Sequence, residues 1–159
     1  MSPRTTDATR RSLFHTIETP EREAYLLLQH VSGALMAELA TVLKPEGVTP
    51  EQYHILQILR DAGKEGIPCS TVAERSVSGD PDVTRLLDRL ENRGWASRAR
   101  DADDRRVVVA RITAAGSRLI ARLEDAVADL HRHQMRKLGS REVPQLRAIL
   151  EKLAVPARE

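Results

Sequence analysis

Apolar residues recur at helical spacing through most of the chain and give way to strand-like runs only in short stretches near its middle. Leu28, Val31, Leu35, Leu39 and Val42 form one such stripe, predicting a long first helix from Pro20 to about Leu43. Pro20 suits a first helical turn, Glu21 and Glu23 suit the positive end of the helix dipole, and Pro45 with Gly47 ends the segment. A second helix opens at Thr49-Pro50-Glu51-Gln52, where Thr49 can cap and Gln52 can complete a capping box. Its core side carries Tyr53, Ile55, Leu56 and Leu59, and Asp61-Ala62-Gly63 closes it.

Ile67-Pro68 has room for only a very short strand. A short third helix is expected over about Ser70 to Arg75, with Thr71 and Glu74 at capping-box spacing. Gly79-Asp80-Pro81 leads into a fourth helix, Asp80 serving as its cap. There Val83, Leu86, Leu87 and Leu90 share one face, while Thr84, Arg85, Asp88, Arg89 and Asn92 lie opposite, and Gly94 stops the helix. Trp95 to Arg100 and Arg106 to Ile112 read as a hairpin around the turn-forming Asp101 to Arg105. Thr113 begins a fifth helix reaching about Leu138, with Leu119, Leu123, Val127 and Leu130 along one side. After Gly139-Ser140, a last helix uses Val143, Leu146, Ile149, Leu150 and Leu153.

The expected class is mainly α with a small β-hairpin. The organisation follows as a loose N-terminal arm over residues 1–19, a helical region over 20–47 and 113–155, and a lobe of short helices with the hairpin over 48–112. A chain of 159 residues suits one domain or one intertwined fold. With 25 Lys and Arg against 23 Asp and Glu, the balance is only mildly basic, but basic residues gather between Arg85 and Arg111. A single cysteine, Cys69, excludes a disulfide-stapled scaffold and makes a reducing, cytoplasmic setting the default. The N-terminus lacks the apolar run of a signal peptide, and no later stretch is expected to approach a membrane span.

The order helix, short strand, helix, helix, strand, turn, strand is that of a winged helix-turn-helix. A major groove about 12 Å wide admits one helix, and a helix buried along leucines with arginines opposite meets that demand. Arginines at a hairpin tip suit a neighbouring phosphate or minor-groove contact. Charged helix faces are also ordinary solvated surface, and the hairpin directly after Gly94 is what favours DNA.

The chain resembles the MarR-like (multiple antibiotic resistance regulator) family. The resemblance is carried by Leu56-Gln57-Ile58-Leu59, Val72-Ala73-Glu74-Arg75, Val83 to Glu91, Gly94-Trp95, and Asp104-Arg105-Arg106 leading to Ile112-Thr113 and Gly116. It spans about Leu26 to Leu153, the block from Asp80 to Gly116 being the specific part. It implies a homodimer built from the first and last two helices, binding double-stranded, roughly palindromic operator DNA as a repressor relieved by a small effector. Carried over position by position, Thr84, Arg85 and Arg89 match the recognition-helix face. Ser70 and Thr71 match the start of the preceding helix, where hydroxyls and amides can meet phosphate, and Asp104, Arg105 and Arg106 match the wing. The approach to the recognition helix departs from the family, with two acids where many relatives place a base. Asp82 there either accepts from cytosine N4 or favours the helix dipole.

The resemblance also implies an effector crevice, for which Tyr25, His30 and Tyr53 are candidate lining and equally candidate core, and a small, partly apolar organic ligand is expected. Cys69 at a helix start raises redox sensing as an alternative, against a buried, inert thiol. His131 and His133, two apart on a helix, point about 160° from each other and cannot share a metal. His15, His30 and His54 lack companion ligands, so neither metal nor cofactor is expected. No phosphate loop, nucleophile elbow or Cys-His spacing advertises an enzyme. The remaining alternative is a winged-helix protein-interaction module without operator binding.

Overall fold

The computed structural model describes residues 19–76 and 83–154, which fall in two compact units, Met1–Glu38 and Leu39–Glu159. The N-terminal arm and the approach to the fourth helix, with its expected cap Asp80, lie outside the described residues. The elements are α1 (Pro20–Leu43), a 3-10 turn (Lys44–Glu46), α2 (Pro50–Asp61), β1 (Ile67–Pro68), α3 (Cys69–Arg75), α4 (Val83–Asn92), β2 (Ala96–Arg100), β3 (Val108–Ile112), α5 (Ala114–Met135) and α6 (Glu142–Ala154). The fold is therefore mainly helical with a three-stranded antiparallel sheet in the order β1-β3-β2.

α2 is the central helix of the second unit. Thr49 caps it through a reciprocal box: the Gln52 N–H donates to Thr49 Oγ1 at 3.2 Å and the Thr49 N–H donates to Gln52 Oε1 at 3.1 Å. Both orphan donors are thus satisfied at the start of a helix whose Tyr53, Ile55, Leu56, Ile58 and Leu59 are buried. Those side chains reach α3, α4, α5 and β3. Leu43, Val72, Leu87, Leu90, Leu119 and Ile120 complete the fully buried centre, so the last turn of α1 and the first half of α5 belong to the core of the winged lobe.

Two expectations change. The third helix starts at Cys69, directly from β1, with Pro68 at its cap position and no side-chain cap bond. Thr71 therefore lies inside the first turn and cannot form the expected box with Glu74. The second strand of the hairpin begins at Val108 rather than Arg106, because residues 105 and 106 are held in a turn. α1 also differs from its expected character. By length and composition, an 18-residue window within Pro20–Glu46, with a mean hydropathy of 1.5, is apolar enough to cross a membrane. The run Ala24 to Ala37 contains no Asp, Glu, Lys or Arg, and the polar Gln29, His30 and Ser32 mask it when only the stripe is followed. Tyr25, Leu28, Val31 and Met36 along it are exposed.

The wing is closed at its base by a compact set of backbone contacts. Gly94, at φ 68°, ends α4 in the left-handed conformation, and the N–H groups of Gly94 and Trp95 donate to the carbonyls of Glu91 (2.8 Å) and Leu90 (2.9 Å). This is a Schellman ending, which turns the chain sharply into β2. At the far end of β3, the Thr113 N–H donates to the Trp95 carbonyl at 3.0 Å and its hydroxyl to the Gly94 carbonyl at 2.7 Å. The same hydroxyl accepts the Gly116 N–H at 3.1 Å and so caps α5.

Gly116 lies flush against Trp95. A Cβ there would overlap the Trp95 carbonyl oxygen and come within 2.9 Å of Ile112 Cγ1. Gly116→Ala is therefore expected to lower the stability of the folded protein by about 1–3 kcal/mol, since a backbone oxygen cannot swing aside. Urea denaturation checks this, and an unchanged midpoint would contradict the close packing.

Candidate nucleic-acid interface

α4 is attached to the lobe by Val83, Leu87 and Leu90, all buried, with Leu86 partly buried beside them. The i, i+4, i+7 spacing of the buried three puts Thr84, Arg85 and Arg89 on the solvent side, and all three are exposed. Asp82 lies outside the described residues. Ser70 is exposed and Thr71 partly buried on the first turn of α3, which packs against α4. The two helices thus bring four of the expected polar side chains, together with Thr71, to neighbouring elements.

The wing tip is shaped by carboxylates. Asp101 Oδ1 accepts the N–H groups of Asp103 (2.9 Å) and Asp104 (3.1 Å), which holds its carboxyl below the usual range. Asp104 Oδ1 accepts the Arg106 N–H at 2.9 Å, and its carbonyl accepts the Val107 N–H at 2.9 Å. Asp104 therefore orients the backbone at Arg106. The Arg100 Nη1 group donates to the Arg105 carbonyl at 3.1 Å and braces the same turn. Arg105 and Arg106 are exposed, and among the described residues their guanidinium groups have no ion-pair partner.

Arg98, which the sequence reading passed over, joins the two parts. Alternation along β2 puts it on the same face as the buried Ala96, toward α4. Its Nε donates to Glu91 Oε2 at 3.0 Å, and its Nη2 donates to Glu91 Oε2 at 2.7 Å and to Asp88 Oδ1. The Arg98 backbone N–H donates to Glu91 Oε1 at 2.8 Å. The guanidinium beside Glu91 lowers that carboxyl, and Glu91 in turn raises Arg98. An acid pair at i and i+3 on α4 was the available signal, but nothing local in the sequence aims it at residue 98.

The remaining candidates separate. Tyr53 is a core side chain whose phenol is pushed up by burial. Tyr25 and His30 are exposed on α1, where the Gln29 amide donates to the Tyr25 hydroxyl at 2.8 Å. Burial raises the Cys69 thiol, and this outweighs the pull of Arg98 and of its own place at the start of α3, so the thiolate that oxidant sensing requires is disfavoured. His54 Nε2 lies 3.3 Å from the Arg75 carbonyl, and among the described residues no group of three His, Cys, Asp or Glu is arranged to hold a metal ion.

Comparison with known proteins agrees with this architecture. The model of the MarR family matches residues 48–108, from the cap of α2 through the wing to the start of β3. The multiple antibiotic resistance protein MarR of Escherichia coli strain K12 is 30% identical over 115 residues, covering 70% of this chain and 76% of the relative. The crystal structure of a cysteine-to-serine mutant of E. coli MarR in complex with operator DNA superposes with a TM-score of 0.74 at 28% identity, covering 81% of this chain and 91% of that one. A MarR transcription factor from Planctomyces limnophilus superposes with a TM-score of 0.65 at 33% identity, over 87% of this chain and 98% of that one. The Planctomyces relative is named a transcription factor, and the E. coli mutant is bound to operator DNA. With 30% identity over 76% of the E. coli relative and a matching fold in both solved structures, the chain belongs to the MarR family.

Proposed function

We propose that the protein is a homodimeric, sequence-specific DNA-binding transcription regulator that represses from a roughly palindromic operator. The observation that carries this reading is the pairing of α4, buried along Val83, Leu87 and Leu90 and exposing Thr84, Arg85 and Arg89, with a wing whose tip exposes Arg105 and Arg106. α4 enters the major groove, where Arg85 and Arg89 reach base edges or phosphates. Ser70 and Thr71 meet the backbone from the start of α3. The wing lies over the flanking phosphates or a narrow minor groove. Asp104 shapes the turn, and Asp82 belongs to the approach to the recognition helix. The E. coli relative crystallised on operator DNA supports the same docking. The protein works in the cytoplasm and catalyses no reaction.

Residues 20–47 and 113–155 carry the dimerisation region and 48–112 the DNA-binding lobe, whose core also takes in Leu43, Leu119 and Ile120. Tyr25, Leu28, Val31 and Met36 on α1, and Val143, Ile149, Leu150 and Leu153 on α6, are exposed apolar side chains. A second copy covers them, as closed two-fold assemblies commonly do. Repression is relieved by a small, partly apolar organic ligand; of the three candidate side chains Tyr25 and His30 are exposed and available to it, whereas Tyr53 belongs to the core.

Sedimentation at micromolar concentration is expected to give a dimer, and a compact folded monomer contradicts the assembly. Within a panel of aromatic acids and hydrophobic compounds, at least one raises the melting temperature and lowers affinity for the duplex upstream of the protein's own coding region. A panel with no such member removes effector relief. Arg105→Ala with Arg106→Ala weakens binding to that duplex and to random DNA alike, and flattens the salt dependence by about one or two units of slope. An unchanged slope in a folded double variant removes the wing from the interface.

A further inference from the structure

Of the cations between residues 85 and 111, Arg98 is one that sits beside the recognition helix without facing away from the lobe. Its side chain is 23% exposed and lies between Asp88 and Glu91, with three side-chain bonds to these two carboxylates. Its main-chain N–H is held by Glu91 as well, so one carboxylate fixes both the strand and its arginine. The contacts bridge the C-terminal half of α4 and the middle of β2, seven and ten residues apart along the chain. Opposite Arg98 across the hairpin stands Ala110, fully buried, so the strand cannot shift at this register without opening the core.

Resting on the DNA-binding reading above, we propose that Arg98 is a positioning residue for operator recognition. Clamped by Asp88 and Glu91, it sets the angle between the recognition helix and the wing, so that both engage one operator together. Its charge is neutralised within the protein and does not count among the groups that displace counterions from DNA. Two features separate this role from a direct contact. Removing a phosphate-binding arginine lowers the salt slope by about one unit, whereas removing a clamp leaves it in place. Removing the charge of Glu91 strengthens binding if only electrostatics act, because DNA is an anion, but weakens it if Glu91 holds the clamp.

The test titrates wild type, Arg98→Gln and Glu91→Gln against the duplex upstream of the protein's own coding region and against random DNA, over a range of KCl concentrations. Expected is a loss of about tenfold in affinity for the upstream duplex in either variant. The salt slope is unchanged, binding to random DNA is little altered, and Glu91→Gln adds no further loss in the Arg98→Gln background. Glu91→Gln retains the shape of the side chain and decides alone if Arg98→Gln does not fold. Tighter binding by Glu91→Gln, a slope reduced by about one unit in Arg98→Gln, or affinity unchanged in both variants overturns the proposal. Where wild type prefers the upstream duplex and the variants match it, the clamp alone fails. A wild type without any preference overturns the regulator reading, and the clamp with it.

Discussion

The wing depends on one backbone carbonyl. Trp95 O accepts the Thr113 N–H, and Gly116 of α5 packs directly against it. That contact sets the end of β3 beside the beginning of β2, and the five-residue register from Ala96↔Ile112 to Arg100↔Val108 follows from it. It also fixes where α5 leaves the sheet, because the Thr113 hydroxyl that donates to Gly94 also caps that helix. The end of α4, the hairpin and the start of α5 are thus one mechanical unit. Around it, the Arg93 guanidinium sits 4.4 Å over the Trp95 ring and reaches toward the carbonyls of Glu46 and Gly47, while Arg122 of α5 pairs with Glu46 at 2.8 Å. The turn after α1 is tied to the same place, though these outer ties are exposed and contribute little.

What could be read in the sequence was whatever has a short-range cause. The Thr49–Gln52 box, the stop at Gly94, the start of a helix at Thr113 and the Val83-Leu87-Leu90 face all involve residues within one or two turns of each other, and each is found in the structure, where Thr113 is the cap of α5. The wing was legible for the same reason, since a cluster of turn formers separates two strands. Thr71 shows the limit of such patterns: its spacing to Glu74 is right for a box, but the strand running into α3 puts the cap position at Pro68, three residues earlier. Arg98 and Gly116 were illegible as partners because their contacts join elements separated by a turn or by the whole hairpin. The apolar character of α1 was under-read because a stripe was sought where the run is apolar on several faces.

The acids of the region explain how a chain with net charge of only +2 can carry a surface for an anion. Scattered among the arginines, Asp88, Glu91, Asp101 and Asp104 would oppose phosphate if they stood free in solvent. Asp88 and Glu91 are instead turned onto Arg98, Asp101 onto two backbone N–H groups, and Asp104 onto the Arg106 N–H. Arg98 offsets one of the two charges of Asp88 and Glu91, while Asp101 and Asp104 keep theirs and use their oxygens to accept backbone N–H groups. Arg89, Arg105 and Arg106 remain exposed beside them. The carboxylates act as structural acceptors: Asp101 and Asp104 shape the turn that carries Arg105 and Arg106, and Asp88 and Glu91 hold β2 against α4, so the acids of this region build the surface on which the exposed arginines stand.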